Sequence, residues 1–109
     1  MDNFNDQIEE RRLQLQSNPN EFTANYGMGK LYYEEGKKQL DKSKAATSEA
    51  EQKKFVDGGT KMWQESMPHL EKAFDIDPSN KEVVNKLESV YSQFGMNEKI
   101  KGINERIKE

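Results

Sequence analysis

Two stretches of this chain repeat one another in outline, and that repeat limits the fold more than any other feature. Residues 18–36 read NPNEFTANYGMGKLYYEEG and residues 77–95 read DPSNKEVVNKLESVYSQFG. Each begins with a proline at its second position. Each then places an aromatic four positions after an apolar residue (Met28 and Tyr32, Leu87 and Tyr91) and closes on a glycine four further, Gly36 or Gly95. Proline resists continuing a helix and glycine commonly ends one, so each stretch reads as a helix between punctuation marks.

Extending the same reading along the chain predicts five helical segments and no strand. Phe4, Ile8 and Leu15 lie on one helix face, up to the break at Asn18-Pro19-Asn20. A second segment starts near Asn20 or Glu21 and carries Phe22, Tyr26, Gly29 and Tyr33 at helical offsets; it either ends at Gly36 or runs on through it into KKQLDKSKAA, a glycine inside a helix costing about 1 kcal/mol against alanine. Thr47-Ser48 is the turn that follows, and Ser48 with Glu51 forms an S-x-x-E capping box for the third segment. There Phe55, Gly59, Met62, Ser66, Leu70 and Ala73 keep a stripe up to Ile76, with a kink expected near Gln64–Met67 because Pro68 lies inside it. Asp77-Pro78-Ser79-Asn80 separates it from the fourth segment, where Val83, Val84, Leu87, Val90, Tyr91 and Phe94 give the clearest amphipathic pattern. Gly95 stops that helix as a left-handed cap, and Ile100, Ile103 and Ile107 mark the last one.

Composition suits thin packing of such helices. Apolar residues are 32% of the 109 and charged residues 34%, so each helix has material for one buried stripe and a wet remainder. With no cysteine, disulfides and thiolate metal sites are excluded, and the compartment stays open. There is no long apolar run and no signal pattern at the N-terminus, so the chain reads as soluble, without membrane insertion. A net charge of -3 argues against nucleic acid as the partner.

The repeat resembles the tetratricopeptide repeat, a helix–turn–helix unit of about 34 residues. Met28-Gly29-x-x-Tyr32 fits the first helix of that pattern, and LEKAFDIDPSN, with Ala73 and Pro78, fits the end of the second. The resemblance covers nearly the whole chain and implies an all-α solenoid fragment in one domain, 1–109. Residues 1–18 would be the orphan helix of a preceding repeat, 21–80 a full repeat, and 81–109 a terminal repeat. Glu88 and Asn104 depart from the pattern, standing where it has a small and an apolar or aromatic residue.

The full repeat is longer than the family unit by about 25 residues. Family packing pairs Gly29 with Ser66. In an antiparallel hairpin that register places the turn at 47–48, where the capping box stands, and sets Gly36 against Gly59 and Leu40 against Phe55. The insertion therefore lengthens both helices of an extended hairpin, roughly 21–76, by about 12 residues or 18 Å each.

Chemistry is sparsely represented. His69 is the only histidine and has no second imidazole or thiol with which to build a metal or catalytic site. Trp63, beside Met62 and Met67, reads as packing within the hairpin. The glycines at 27, 29, 58 and 59 follow no strand and make no phosphate loop. Glu9-Glu10 and Glu34-Glu35 are adjacent, so on a helix they diverge, and Lys37–Lys44 reads as a solvated face. An enzyme and a cofactor are not expected.

Binding is. By resemblance, first helices line a concave groove, whose positions here would be Thr23, Tyr26, Lys30, Tyr33 and Glu34, then Glu82, Asn85, Ser89, Ser92 and Gln93. Tyrosines among polar residues suit a peptide or partner helix. The terminal-carboxylate clamp of some family members is absent, since Tyr26, Gly27, Glu82 and Lys86 occupy most of its places. The expected function is a protein-interaction scaffold using that groove or the long hairpin arms. The alternative is a structural element that self-associates as a homo-oligomer, through the orphan helix or the arm tips.

Overall fold

A computed structural model describes residues 3–108 as five α-helices in chain order. They are α1 (Asn3–Ser17), α2 (Phe22–Ala45), α3 (Glu49–Ile76), α4 (Lys81–Gln93) and α5 (Asn97–Ile107). No strand occurs among the described residues; residues 1, 2 and 109, which belong to the first and last segments read from the sequence, lie outside them.

Local chemistry accounts for the boundaries. The Ser48 hydroxyl accepts the backbone N–H of Glu51 at 3.1 Å and starts α3, which is the Ser half of the expected capping box. The Asn80 side chain does the same for α4, accepting from Val83 N–H at 3.1 Å. At the far end of α4, Gly95 takes φ +66°. Its N–H reaches the Ser92 carbonyl at 3.1 Å, and that of Met96 reaches the Tyr91 carbonyl at 2.8 Å, which is the Schellman arrangement. At Pro68 α3 is not interrupted. Both Pro68 and Gln64 are exposed, so the carbonyl that loses its partner there is on the wet side of the helix.

The helices pack in sequence order, each against the one before. The result is a slab 46 × 33 × 15 Å, only 15 Å in its thinnest direction. Its core lies between α3, α4 and α5, where Leu70, Ala73, Val83, Leu87 and Val90 are fully buried. Each of the Leu and Val side chains among them contributes about 1.5–3 kcal/mol on burial. α5 is fastened back onto α3 by charge as well: Arg106 donates to Asp75 at 2.8 Å with its guanidinium 4.9 Å from the Phe74 ring centre, and Lys99 lies 3.6 Å from Glu71.

α2 and α3 make the long hairpin, and their closest approach is through glycine. A Cβ built on Gly36 would stand 2.9 Å from the Gly59 carbonyl oxygen, and one on Gly59 would stand 2.8 Å from the Gly36 carbonyl oxygen. These two glycines therefore face each other as the register requires. Gly29 sits against Leu70, one turn along from the fully buried Ser66.

α1 is held differently. It buries no residue completely, and Leu13 on it is 53% exposed. Its attachment is an aromatic row across three helices. Phe4 meets Tyr32 edge-on at 5.9 Å, and Tyr32 stacks on His69 of α3 at 6.1 Å and 11°. The buried Asn25 amide donates to the Pro19 carbonyl at 3.1 Å and the Glu21 carbonyl at 2.8 Å, which fixes the α1–α2 connection.

Candidate functional site: a groove between the second and fourth helices

The N-terminal parts of α2 and α4 meet where the Tyr26 hydroxyl, in the second turn of α2, donates to Glu82 Oε1 in the first turn of α4 at 3.1 Å. From there the two helices run the same way along α3 and leave a groove between them. Its aromatic wall comes from α2. Tyr26 stacks on Phe22 at 5.6 Å, and Tyr33 stacks on Trp63 of α3 at 4.9 Å and 8°. Trp63 is 7% exposed and forms part of the floor, consistent with its reading as packing. Its ring can lie so low because Gly36 has no side chain: a Cβ there would fall 2.3 Å from Trp63 Cδ1.

The opposite wall is polar. Asn85, Ser89, Ser92 and Gln93 of α4 border the hollow over Trp63. Farther on, Ser89 and Gln93 face Lys37, Leu40 and Lys44 across a hollow of about 420 Å³. Lys86 arches over the groove, its Nζ 5.6 Å from the Tyr26 ring centre and 5.4 Å from that of Tyr33. At such distances the ammonium is attracted to both ring faces. Among the described residues it has no carboxylate within ion-pair distance.

Seven of the ten residues expected from the sequence meet here: Tyr26, Tyr33, Glu82, Asn85, Ser89, Ser92 and Gln93. Lys30 and Glu34 do not. They turn toward α1 and line a separate hollow with Glu10, Arg11 and Gly27. Thr23 is exposed on the first turn of α2 and borders neither hollow. Lys86 and Trp63 are groove residues absent from the expected set. Lys86 stands at one of the clamp places the resemblance marks, but its reach over both rings depends on the long side chain, which a position-by-position pattern does not register.

Electrostatics in the groove keep the Tyr26 phenol neutral. Burial first, then the hydrogen bond to Glu82 and the charges of Glu82 and Glu34, push the Tyr26 hydroxyl well above the ordinary tyrosine value. Burial lowers His69 below the ordinary imidazole value, with Glu65 acting in the opposite direction. Among the described residues no three His, Asp or Glu side chains converge to hold a metal ion, and no helix is long and apolar enough to cross a membrane. What the groove offers is aromatic area, three lysines (Lys37, Lys44 and Lys86) with Asp41, Glu82 and Glu88 among them, and a line of hydrogen-bonding side chains. Compared with protein-family models, curated proteins and solved structures, the chain matches none.

Proposed function

We propose that this chain is a tetratricopeptide-like helical-repeat module that binds a peptide or a helix of a partner protein in the groove between α2 and α4. One observation carries the reading: Tyr26 and Tyr33 line the groove over a buried Trp63, with Lys86, which has no carboxylate within ion-pair distance among the described residues, poised across both rings. Tyrosines give large contact area for little lost rotamer freedom, and the polar wall of α4 supplies hydrogen bonds to an extended backbone. The repeat of residues 18–36 in residues 77–95, the sequential packing of the helices and the Gly36–Gly59 contact support the family reading.

The test is to select binding peptides from a displayed library and compare their affinity for the unaltered protein and for Tyr26→Ala with Tyr33→Ala. A loss of tenfold or more is expected, since hot-spot tyrosines cost about 2 kcal/mol each when truncated. Circular dichroism establishes that the double variant keeps its helices. Affinity unchanged by the pair would remove the groove from consideration.

A second reading, self-association, draws on the two ends of the slab. Leu13 on α1 is 53% exposed, and at the opposite end Pro78, Val84 and Ile107 line an apolar hollow, with Ile107 47% exposed. Light scattering over a wide concentration range separates the readings. A mass that rises with concentration and is abolished by Leu13→Glu favours self-association; a monomer throughout favours the groove.

A further inference from the structure

Charge is unevenly distributed in this protein. Residues 37–61, the turn end of the long hairpin, hold seven lysines and four carboxylates, a net +3. The remaining residues hold ten basic and sixteen acidic groups, a net -6. The fold keeps the two populations apart. Tyr26 of α2 is level with Glu82 of α4, and α2 runs on to Ala45 where α4 ends at Gln93, so the hairpin extends about 12 Å past the end of α4.

Internal pairing does not neutralise the hairpin end. Asp41 serves both Lys37, at 3.3 Å, and Lys44, at 3.9 Å, and Asp57 serves Lys53. Glu49 and Glu51 stand in the first turn of α3, where the helix dipole favours them. Lys38, Lys42, Lys54 and Lys61 have no carboxylate within ion-pair distance among the described residues. Lys42 and Lys54, from different helices, both stand 5.8 Å from the Phe55 ring centre instead.

The groove leads onto this surface without a break. Tyr33 and Trp63 border the same hollow as Lys37, Lys44 and the single carboxylate Asp41 that the two lysines share, Glu88 borders the hollow beside it, and Lys86 stands over the tyrosine end, so the lysines outnumber the carboxylates there by three to two. We infer that the occupant of the groove is an acidic polypeptide segment, whose Asp or Glu side chains lie along Lys86, Lys37 and Lys44 as it passes from the tyrosines onto the hairpin arm. This rests on the groove reading and adds the charge of the partner to it. Lysine ammoniums remain well hydrated and supply steering more than rigid pairing, so the contact is fast-forming and salt-sensitive. A short segment suits the charge pattern better than a polyanion or an anionic bilayer. Either of those extends beyond the screening length of about 8 Å and meets the surplus negative charge elsewhere on the protein.

The probe is a short labelled peptide of Leu and Tyr interspersed with Glu, beside versions carrying Gln or Lys in place of Glu. Affinity is read by fluorescence anisotropy and location by amide chemical shifts. The Glu peptide is expected to bind about tenfold tighter than the Gln peptide, to weaken with added salt, and to shift residues 33–44 and 89–93. Lys37→Gln with Lys44→Gln should weaken it about fivefold, while Lys101→Gln with Lys108→Gln, an equal charge change on the last helix, should not. Equal binding of the Glu and Gln peptides, equal effects of the two lysine pairs, or no binding of the Glu peptide at millimolar concentration overturns the inference. So does tighter binding of a single-stranded RNA or of phosphatidylserine vesicles. If Tyr26→Ala with Tyr33→Ala leaves the Glu peptide's affinity unchanged, the acidic preference stands on the arm alone and the groove reading falls. If the Gln peptide binds as tightly through those tyrosines, the groove reading stands and the acidic one falls.

Discussion

Trp63 donates its indole N–H to the carbonyl oxygen of Tyr33 at 2.8 Å, while the same two side chains stack ring on ring. An indole can approach a helix backbone so closely only where a side chain is missing, and Gly36 is that place. Gly36→Ala would put a methyl group 2.3 Å from Trp63 Cδ1 and 2.9 Å from the Gly59 carbonyl oxygen. The gain in helix propensity of about 1 kcal/mol does not offset that overlap, and a net loss of about 1–3 kcal/mol is expected in urea unfolding. Gly102→Ala is the matched control. Nothing lies within 4 Å of its Cβ, so it should raise stability by about 0.5–1 kcal/mol.

Gly58 and Gly59 are neighbours whose substitutions should act with opposite sign. A Cβ on Gly58 meets the end of the Gln39 side chain, 2.1 Å from Oε1, which can swing away. A Cβ on Gly59 meets the Gly36 carbonyl oxygen at 2.8 Å and Leu40 Cγ at 2.7 Å. Gly58→Ala should stabilise the protein by up to about 1 kcal/mol, and Gly59→Ala should cost about 1–3 kcal/mol. Denaturant midpoints of the two variants, measured side by side, check the contrast.

His69 gives the fold a pH dependence in mildly acid solution. Burial beside Tyr32 depresses its folded-state pKa below the ordinary value near 6.5. The folded protein therefore binds fewer protons than the unfolded chain, and stability falls as pH drops through 6.5 toward the folded value. Thermal unfolding between pH 7.5 and 5.5 should show a falling midpoint, and His69→Gln should flatten it. Because no other histidine exists, a slope that survives His69→Gln would assign it to another group.

At the alkaline end the tyrosines take over. Burial raises the hydroxyls of Tyr26, Tyr32 and Tyr91, and hydrogen bonds to Glu82 and Glu71 add to the effect on Tyr26 and Tyr91. The folded state holds these protons more tightly than the unfolded chain. The contribution is complete below about pH 10 and lost as pH rises beyond it. Near-ultraviolet titration should show less tyrosinate in the folded protein than in urea at the same pH. Tyr91→Phe should cost about 1 kcal/mol at neutral pH, the worth of its bond to Glu71.

The elements were readable wherever one residue type answers to one backbone demand. Ser48 caps because its hydroxyl can accept Glu51 N–H, and Gly95 ends α4 because a positive φ is strained for other residues. The Gly36–Gly59 contact was readable because one pair fixes an antiparallel register, and the resemblance supplied that pair as Gly29 with Ser66. The groove was less so. Lys30 and Glu34 are on the expected helix, but their direction depends on how α1 leans against α2, which no helix period encodes. Lys86 escaped because its ammonium ends far from its Cα, and the bond from Trp63 to Tyr33 because a helix carbonyl is already engaged and signals nothing. His69 was legible as structural, but its place in the row from Phe4 through Tyr32 joins three helices and follows from their docking alone.

The order of packing, each helix on its predecessor, has a kinetic meaning. Every major interface closes across a connection of a few residues, so little chain entropy is lost before contacts form. A chain of this kind assembles outward from its strongest hairpin and folds in microseconds to milliseconds. The long hairpin of α2 and α3 is therefore expected to form first, and α1, which buries no residue completely, to join last and leave first.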